Sequence, residues 1–205
     1  MKYNTVLFDF DGTLYDTVEG ITKCVQYALG KHGIEAALED LRCFAGPPLT
    51  EKFMEVYGLE PALAEQLVTD YRERYLPIGV YESAPFPGVG EMLQQLRAAG
   101  LHLGVATSKP QALAELLLDR AGLKDCFDAI VGSTPGKKDD QKWMVVRRAM
   151  ELCGAEPDST VLVGDTKYDA IGAAWGYAAP GELEEAGVLC TVQDFAALEA
   201  FLLRK

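Results

Sequence analysis

Hydrophobic and polar positions alternate in blocks along the second half of the chain, and these blocks predict a parallel sheet covered by helices. From about residue 85 onward, short apolar runs typical of buried strands are separated by amphipathic stretches that end at glycine. The apolar, β-branched run over 160–163 indicates a strand that is buried on both faces. The predicted elements are a helix over 88–99, a strand over 101–106, a helix over 110–121, a strand over 129–131, a helix over 142–153 and a strand over 160–163.

Residues 16–83 break this alternation, because their apolar positions follow helical spacing and show no strand pattern. One predicted helical face consists of Val18, Ile21, Val25, Ala28 and Leu29. A second set of helical apolar positions consists of Phe53, Val56, Leu63, Leu67, Val68 and Tyr71. The proline-rich stretch 83–88 is stiff and suits a boundary between two bodies. We therefore predict an α/β core over 1–15 and 84–205, with a helical domain over 16–83 inserted into it.

The length, charge and cysteine content of the chain exclude some classes of fold and partner. A chain of 205 residues, about half of them apolar, can hold one core with a small appended domain. Its net charge of −12 argues against broad nucleic-acid binding, which needs a basic face, but leaves a small phosphorylated substrate possible. Five cysteines without a Cys-x-x-Cys pair are expected to be reduced thiols. No signal peptide or membrane-length apolar run is present, so we expect a cytoplasmic location.

The first apolar run ends abruptly in two carboxylates. Asp9 and Asp11 follow the apolar residues 6–8, and Gly12 comes next. The carboxyl end of a strand is where open α/β sheets form their ligand crevice, and charges in such a partly dry place need a partner. Carboxylate oxygens suit Mg²⁺, which usually takes one or two of them. A polar strand end before a glycine turn has the same sequence pattern, so the interpretation depends on groups from other strands.

Later strand ends supply such groups. Thr107 and Ser108 follow a predicted strand, where they could bind an anion at a helix start or simply cap that helix. Lys142 stands at the start of the predicted helix over 142–153 and offers a cation for a phosphoryl group. Asp165 follows the strand over 160–163, and Asp169 is predicted one turn into a following helix, facing the same pocket.

In this order the motifs resemble those of the haloacid dehalogenase superfamily. Within it, the chain is most similar to phosphatases of the phosphoglycolate phosphatase and 5′-nucleotidase kind, which carry a helical cap. The resemblance covers nearly the whole chain and implies a Rossmann-like parallel core with residues 16–83 as the cap. The third motif is assigned to Lys142 rather than Lys137 or Lys138. The matching segments are Asp9-Phe10-Asp11-Gly12-Thr13, Thr107-Ser108-Lys109-Pro110, Lys142, and Gly164-Asp165 with Asp169.

The resemblance implies Mg²⁺-dependent hydrolysis of a small phosphate monoester. Asp9 would be the nucleophile that forms an aspartyl-phosphate, and Asp11 the general acid and then the general base. The implied phosphate-binding residues are Thr107, Ser108 and Lys142. The implied metal ligands are Asp9, Asp11 through its backbone carbonyl, and Asp165, with Asp169 supporting them. The implied partner is a small phosphorylated metabolite, with no nucleic-acid polymer and no membrane, and the chain is expected to be a monomer or homodimer.

The chain departs from the family's pattern after Ala174. Relatives usually continue to a further short strand before a Trp-Gly-Tyr-like loop, whereas here Trp175 follows at once. A lost peripheral strand could expose its neighbour or distort the segment that carries Asp169.

Three alternatives to a phosphatase stay open. A phosphomutase of the same superfamily would return the phosphoryl group to another hydroxyl, and a catalytically weak relative would only bind metabolites. A signalling receiver domain also gathers acids, a hydroxyl and a lysine at strand ends. The long helical insert after the first strand argues against a receiver domain.

Overall fold

The computed structural model describes residues 2–134, 141–166, 169–178 and 181–204. They form two compact units: the residues up to Tyr15 together with those from Pro85 onward, and the segment Asp16–Ala84. No helix in these ranges is long and apolar enough to cross a membrane.

The strands, in chain order, are β1 Thr5–Phe8, β2 Tyr15–Asp16, β3 Ala84–Pro85, β4 His102–Pro110, β5 Ala129–Ser133, β6 Thr160–Gly164, β7 Ile171–Ala173 and β8 Cys190–Val192. The α-helices are α1 Val18–Lys31, α2 Leu49–Tyr57, α3 Pro61–Tyr75, α4 Val89–Ala98, α5 Gln111–Arg120, α6 Lys142–Cys153, α7 Glu182–Glu185 and α8 Phe195–Leu202. β2 and β3 pair with each other at the point where the chain passes from one unit to the other.

The first unit is an α/β domain built on a six-stranded parallel sheet, as the sequence predicted. The strand order is β5-β4-β1-β6-β7-β8. β1 is central and buried at all four positions, and Phe8 stands opposite Val105 of β4 and Val163 of β6. Residues that follow β1, β4 and β6 therefore meet at one edge of the sheet.

One face of this sheet is covered by α6. Leu7, Ala106 and Val131, from three adjacent strands, form a buried cluster with Val145 and Ala149 of the helix. These contacts place the first turn of α6 near the carboxyl ends of the strands.

β4 is longer than its predicted range, and the next helix begins one residue later than predicted. A bulge lies between Ala106 and Pro110, and pairing resumes where Pro110 meets Ser133 of β5. Pro110 is extended and precedes the first helical residue, Gln111. Because a proline disfavours helical backbone in the residue before it, the segment 107–109 continues the strand.

The described residues between β6 and β7, 165–166 and 169–170, are not helical, so Asp169 does not lie in the helix that was predicted there. Residues 165–170 alone separate β6 from β7, too few for a crossover helix. The short connection is possible because β7 starts opposite Val163, near the end of β6, so the chain returns only a short distance. Ile171–Ala173 thus takes the place beside β6, and β8 covers β7 in turn. Despite the departure after Ala174, β6 is therefore not an edge strand.

The second unit is helical. α1 and α2 each pack against α3, and the 3₁₀ turn Leu38–Phe44 packs against α1. The face predicted for α1 is buried at all five positions, which confirms that prediction. The prediction for α2 is partly wrong: α2 is anchored by the buried Phe53, but Val56 in its last turn is exposed.

A buried carboxylate joins two of these helices. Asp70 of α3 accepts a hydrogen bond from Lys31, the last residue of α1, and lies 2.8 Å from Nε2 of His32. The contact with Lys31 is the main reason that the pKa of Asp70 lies below its usual range.

Candidate active site

Asp9 is the first residue after β1, and its carboxylate is held at both oxygens. Its backbone N–H donates to the carbonyl of Val163 at 2.9 Å, so the sheet ladder fixes the main chain here. Oδ1 accepts a hydrogen bond from the backbone N–H of Phe10 at 2.7 Å. Oδ2 lies 2.5 Å from Nζ of Lys142. A buried carboxylate is thus oriented by a short local contact and by a cation from a distant part of the chain.

Lys142, the first residue of α6, brings its ammonium group among several carboxylates. Besides Asp9, Nζ lies 4.0 Å from Oδ1 of Asp169, and the side chain is only 11% exposed. Burial by itself would lower the pKa of Lys142, but the carboxylates of Asp9 and Asp169 outweigh burial and raise it. Lys142 therefore stays charged. The alternative candidates Lys137 and Lys138 lie outside the described residues.

Asp165 follows β6 directly and lies beside the same group of charges. Its Oδ2 accepts a hydrogen bond from the backbone N–H of Tyr177 at 2.6 Å, and Oδ1 lies 3.5 Å from the hydroxyl of Thr13. Burial raises the pKa of Asp165 to about 7; the bond from Tyr177 opposes this rise, and the charges of Asp9 and Asp169 add to it. The neighbourhood therefore holds more negative charge than Lys142 alone balances.

Asp169 reaches this group from the short connection before β7 rather than from a helix. Its Oδ2 accepts hydrogen bonds from the backbone N–H of Thr166 at 2.9 Å and from its hydroxyl at 2.6 Å. Its Oδ1 is buried and has no hydrogen-bond partner in the described part of the chain. Burial raises the pKa of Asp169, while the charge of Lys142 lowers it. The predicted approach to the site of Asp165 is thus observed, by a different local structure.

The predicted hydroxyl pair divides between the interior and the surface. Thr107 is buried, and its Oγ1 accepts a hydrogen bond from the backbone N–H of Lys109 at 3.1 Å. Ser108 is exposed. Neither caps the following helix, because Pro110 occupies the N-cap position and β4 still continues at both residues. Since Oγ1 of Thr107 already accepts one bond, its hydroxyl proton stays available to an acceptor in the site.

Asp11 lies beyond Asp9 in the turn that closes at Tyr15. The backbone N–H of Gly12 donates to the carbonyl of Tyr15 at 2.9 Å, and Gly12 has a positive φ of 76°. A Cβ at Gly12 would stand 2.0 Å from Oδ2 of Asp165, so this position also requires glycine for space. Oδ1 of Asp11 lies 2.9 Å from Nζ of Lys109.

Two features were missed by the sequence analysis. Lys109 was part of a motif but was given no role, and its partner Asp11 is 98 positions away. In the sequence, the loop after β7 is marked only by the departure from the family pattern. Here Tyr177 donates to Asp165, and the indole N–H of Trp175 donates to the carbonyl of Thr13 at 3.1 Å. The sequence signal for this loop is the glycine at position 176. A Cβ added there would stand 2.1 Å from Cβ of Asp165, so only glycine lets the loop approach this residue.

The donor set fits Mg²⁺. All candidate donors are oxygens, the ligand type that Mg²⁺ prefers. The buried Oδ1 of Asp169 has no hydrogen-bond partner in the described ranges. The pKa of Asp165 is raised by burial and by its acidic neighbours, so a cation at this place would be favoured. No group of three or more His, Cys, Asp or Glu side chains within residues 2–134, 141–166, 169–178 and 181–204 is arranged to hold a metal.

Comparison with known proteins gives a consistent result. Residues 6–175 match the family model described as haloacid dehalogenase-like hydrolase. The chain is 36% identical to a 5′-nucleotidase of Pseudomonas aeruginosa over 213 residues, covering 98% of this chain and 96% of the relative. It is 34% identical to a phosphoglycolate phosphatase of Caulobacter vibrioides, covering 82% of this chain and 74% of that one.

A solved structure supports the same assignment. The crystal structure of a predicted phosphatase from Clostridium acetobutylicum superposes with a TM-score of 0.92 at 38% identity, covering 99% of both chains. Because the family model matches more than half of this chain, the chain belongs to the haloacid dehalogenase-like hydrolase family. Its relatives and structural neighbours make it an enzyme of that family's phosphatase class.

Proposed function

We propose that the chain is a Mg²⁺-dependent phosphatase that hydrolyses a small phosphate monoester through an aspartyl-phosphate on Asp9. The observation that carries this proposal is the 2.5 Å contact between Oδ2 of Asp9 and Nζ of Lys142. The carboxylates of Asp169 and Asp165 are close enough to raise the pKa of Lys142 as well. A carboxylate held in this way at a strand end is oriented for attack, and the adjacent ammonium can accept the charge of a phosphoryl group.

In the first step, an Asp9 carboxylate oxygen forms a bond to phosphorus and the ester P–O bond breaks. The leaving alkoxide takes a proton from the carboxyl of Asp11. In the second step, a water oxygen attacks phosphorus, its proton passes to Asp11, and the bond between Asp9 and phosphorus breaks to release phosphate. Thr107, Ser108 and Lys142 bind the phosphoryl oxygens in this proposal.

Asp9, Asp165 and the backbone carbonyl of Asp11 would hold Mg²⁺, with Asp169 supporting them. When bound, Mg²⁺ neutralises phosphate charge and orients the ester. The excess of buried carboxylate over cation at this edge of the sheet supports the assignment.

We further propose residues 1–15 and 84–205 as the catalytic core and residues 16–83 as the cap. The two compact units divide between Ala84 and Pro85, which supports these bounds.

The names of the relatives favour a phosphoglycolate-like or nucleotide-like substrate. The net charge of −12 supports a small metabolite rather than a nucleic-acid polymer. A cytoplasmic location and a monomer or homodimer stay predictions.

A panel of phosphate esters assayed with Mg²⁺ and with excess chelator tests the function. We expect free phosphate to be released with Mg²⁺ and the rate to fall by about 10²-fold or more with chelator, because the phosphate charge loses its counterion. Thermal unfolding gives a second reading, since Mg²⁺ should raise Tm when it binds only the folded chain. Isomerised sugar phosphate without free phosphate would indicate a phosphomutase, and no turnover of any ester would indicate a binding protein.

Substituting Gly176 tests whether the loop after β7 positions Asp165. In Gly176→Ala the new Cβ would stand 2.1 Å from Cβ of Asp165, so the carboxylate or the loop must move and the bond from Tyr177 is disturbed. We expect the Mg²⁺ concentration for half-maximal activity to rise by about 10- to 100-fold, as when the support of a metal ligand is lost.

The control for that experiment is Gly30→Ala, in α1, where a Cβ would meet nothing within 4 Å. Its Mg²⁺ dependence should equal that of the unmodified chain. An unchanged Mg²⁺ dependence in Gly176→Ala would show that the loop does not set the position of Asp165.

A further inference from the structure

Lys109 is a buried cation that the phosphatase proposal leaves without a role. Its side chain is only 4% exposed, and its Nζ lies 2.9 Å from Oδ1 of Asp11. A buried ammonium group is costly unless a carboxylate or other acceptor is near it. This contact therefore binds the end of β4 to the turn after β1.

The backbone at Lys109 is held in place. Its N–H donates to Oγ1 of Thr107 at 3.1 Å within the bulged end of β4. The neighbouring strand comes so close that a Cβ at Gly132 would stand 2.4 Å from the carbonyl oxygen of Lys109. The starting point of the side chain is thus fixed by two strands.

The far end of the side chain also rests on a rigid surface. Nζ lies 5.4 Å from the centroid of the Phe10 ring, a distance that suits a cation–π interaction. Phe10 stacks on Tyr15 at 4.6 Å and 15°, and the Tyr15 hydroxyl donates to the carbonyl of Leu117 at 2.6 Å. The ammonium therefore has little freedom to leave the position that it occupies.

Asp11 has fewer constraints of its own. Its side chain is 19% exposed and stands in a turn after the strand has ended. Lys109 contacts Oδ1, so a further contact of the carboxyl group would be made by Oδ2. A carboxyl group that transfers a proton must be held within a few tenths of an ångström of its productive position.

We propose that Lys109 is the positioning residue for Asp11: it holds Oδ1 so that Oδ2 is presented to the oxygen of the leaving group. This inference rests on the proposed function. In the first step the proton leaves Oδ2 for the alkoxide, and in the second step the water proton returns to Oδ2. Lys109 keeps its own protons throughout and contacts neither the phosphorus nor the leaving group.

The test uses leaving groups that need a proton to different degrees. p-Nitrophenolate leaves readily without protonation, whereas an alkoxide does not. General acid catalysis typically raises a rate by about 10²- to 10⁴-fold. Lys109→Met should therefore lower kcat/KM for an alkyl phosphate by about 10²-fold. For p-nitrophenyl phosphate, the same substitution should lower kcat/KM by less than about threefold. Retained turnover of p-nitrophenyl phosphate also shows that the variant folds.

A double-mutant cycle identifies the route of the effect. In an Asp11→Asn background, Lys109→Met should cause no further loss of kcat/KM on the alkyl phosphate, because the two residues act as one unit. The matched control is Lys124→Met, which removes a half-exposed ion pair with Glu115 in the same unit and should leave both substrates unaffected. If Lys109→Met gives little folded protein, Lys109→Leu, which also lacks a hydrogen-bond donor, serves for the same comparison.

Two results would overturn the inference. Equal losses on both substrates, together with weaker inhibition by inorganic phosphate, would mean that Lys109 binds the phosphoryl group itself. An additional loss in the Asp11→Asn background would mean that Lys109 acts independently of Asp11. Either result leaves the proposed function standing. That proposal fails separately, if the unmodified chain turns over no ester or if Asp9→Asn remains active.

Discussion

Asp9→Asn is expected to lower kcat/KM for any phosphate ester by about 10⁴-fold or more, the scale on which covalent enzymes lose rate when the nucleophile is removed. The amide is a poor nucleophile and cannot form the aspartyl-phosphate. The side-chain carbonyl still accepts the hydrogen bond that Oδ1 of Asp9 receives from Phe10, so the local backbone should stay as it is.

The stability of Asp9→Asn should change little. The substitution weakens the contact with Lys142 but also removes a negative charge that raises the pKa of Asp165. We expect the free energy of unfolding to change by no more than about 2 kcal/mol, the size of one charged hydrogen bond. Denaturant titration measures this quantity, and mass spectrometry after acid quench should find a phosphorylated enzyme only in the unmodified chain.

Asp119→Asn is the matched control, because Asp119 is exposed on α5 in the same unit. It should retain full activity. If Asp9→Asn retains turnover, Asp9 is not the nucleophile, and the mechanism proposed above is wrong.

Lys142→Met is expected to lose both activity and stability. The substitution removes the cation that lies 2.5 Å from Asp9 and 4.0 Å from Asp169, and leaves these carboxylates buried together. Removing one partner of a buried ion pair typically costs about 3–5 kcal/mol of unfolding free energy. For a chain of this size the loss corresponds to a fall in Tm of roughly 6–20 °C. Loss of one electrostatic contact to the phosphoryl group should lower kcat by about 10²- to 10³-fold.

Differential scanning calorimetry and steady-state kinetics measure the two effects. Arg147→Met is a matched control in the same helix, since Arg147 and Glu151 form an ion pair that is exposed on both sides. That control should change the unfolding free energy by less than about 1 kcal/mol. A Tm for Lys142→Met equal to that of Arg147→Met would show that Lys142 does not balance the charges of Asp9 and Asp169.

The sequence pattern alone was sufficient for the parallel sheet and for the positions of Asp9 and Asp165 at its edge. β1 and β6 are short apolar runs, and each ends in an aspartate that interrupts the run, so local hydrophobicity marks both the strands and Asp9 and Asp165. Parallel strands end at one edge of a sheet, which is why their terminal acids meet. The buried face of α1 followed in the same way from helical spacing.

Only the tertiary structure decided how the remaining groups reach that edge. Asp169 comes from a short connection because β7 pairs with the end of β6, and such pairing depends on register between strands rather than on local periodicity. Lys109 is buried beside Asp11 through the bulge in β4, and Tyr177 supports Asp165 through a loop whose sequence shows no strand or helix pattern. These contacts join residues far apart along the chain. Side-chain burial and ion pairing over such separations arise from packing, which the spacing of apolar residues does not encode.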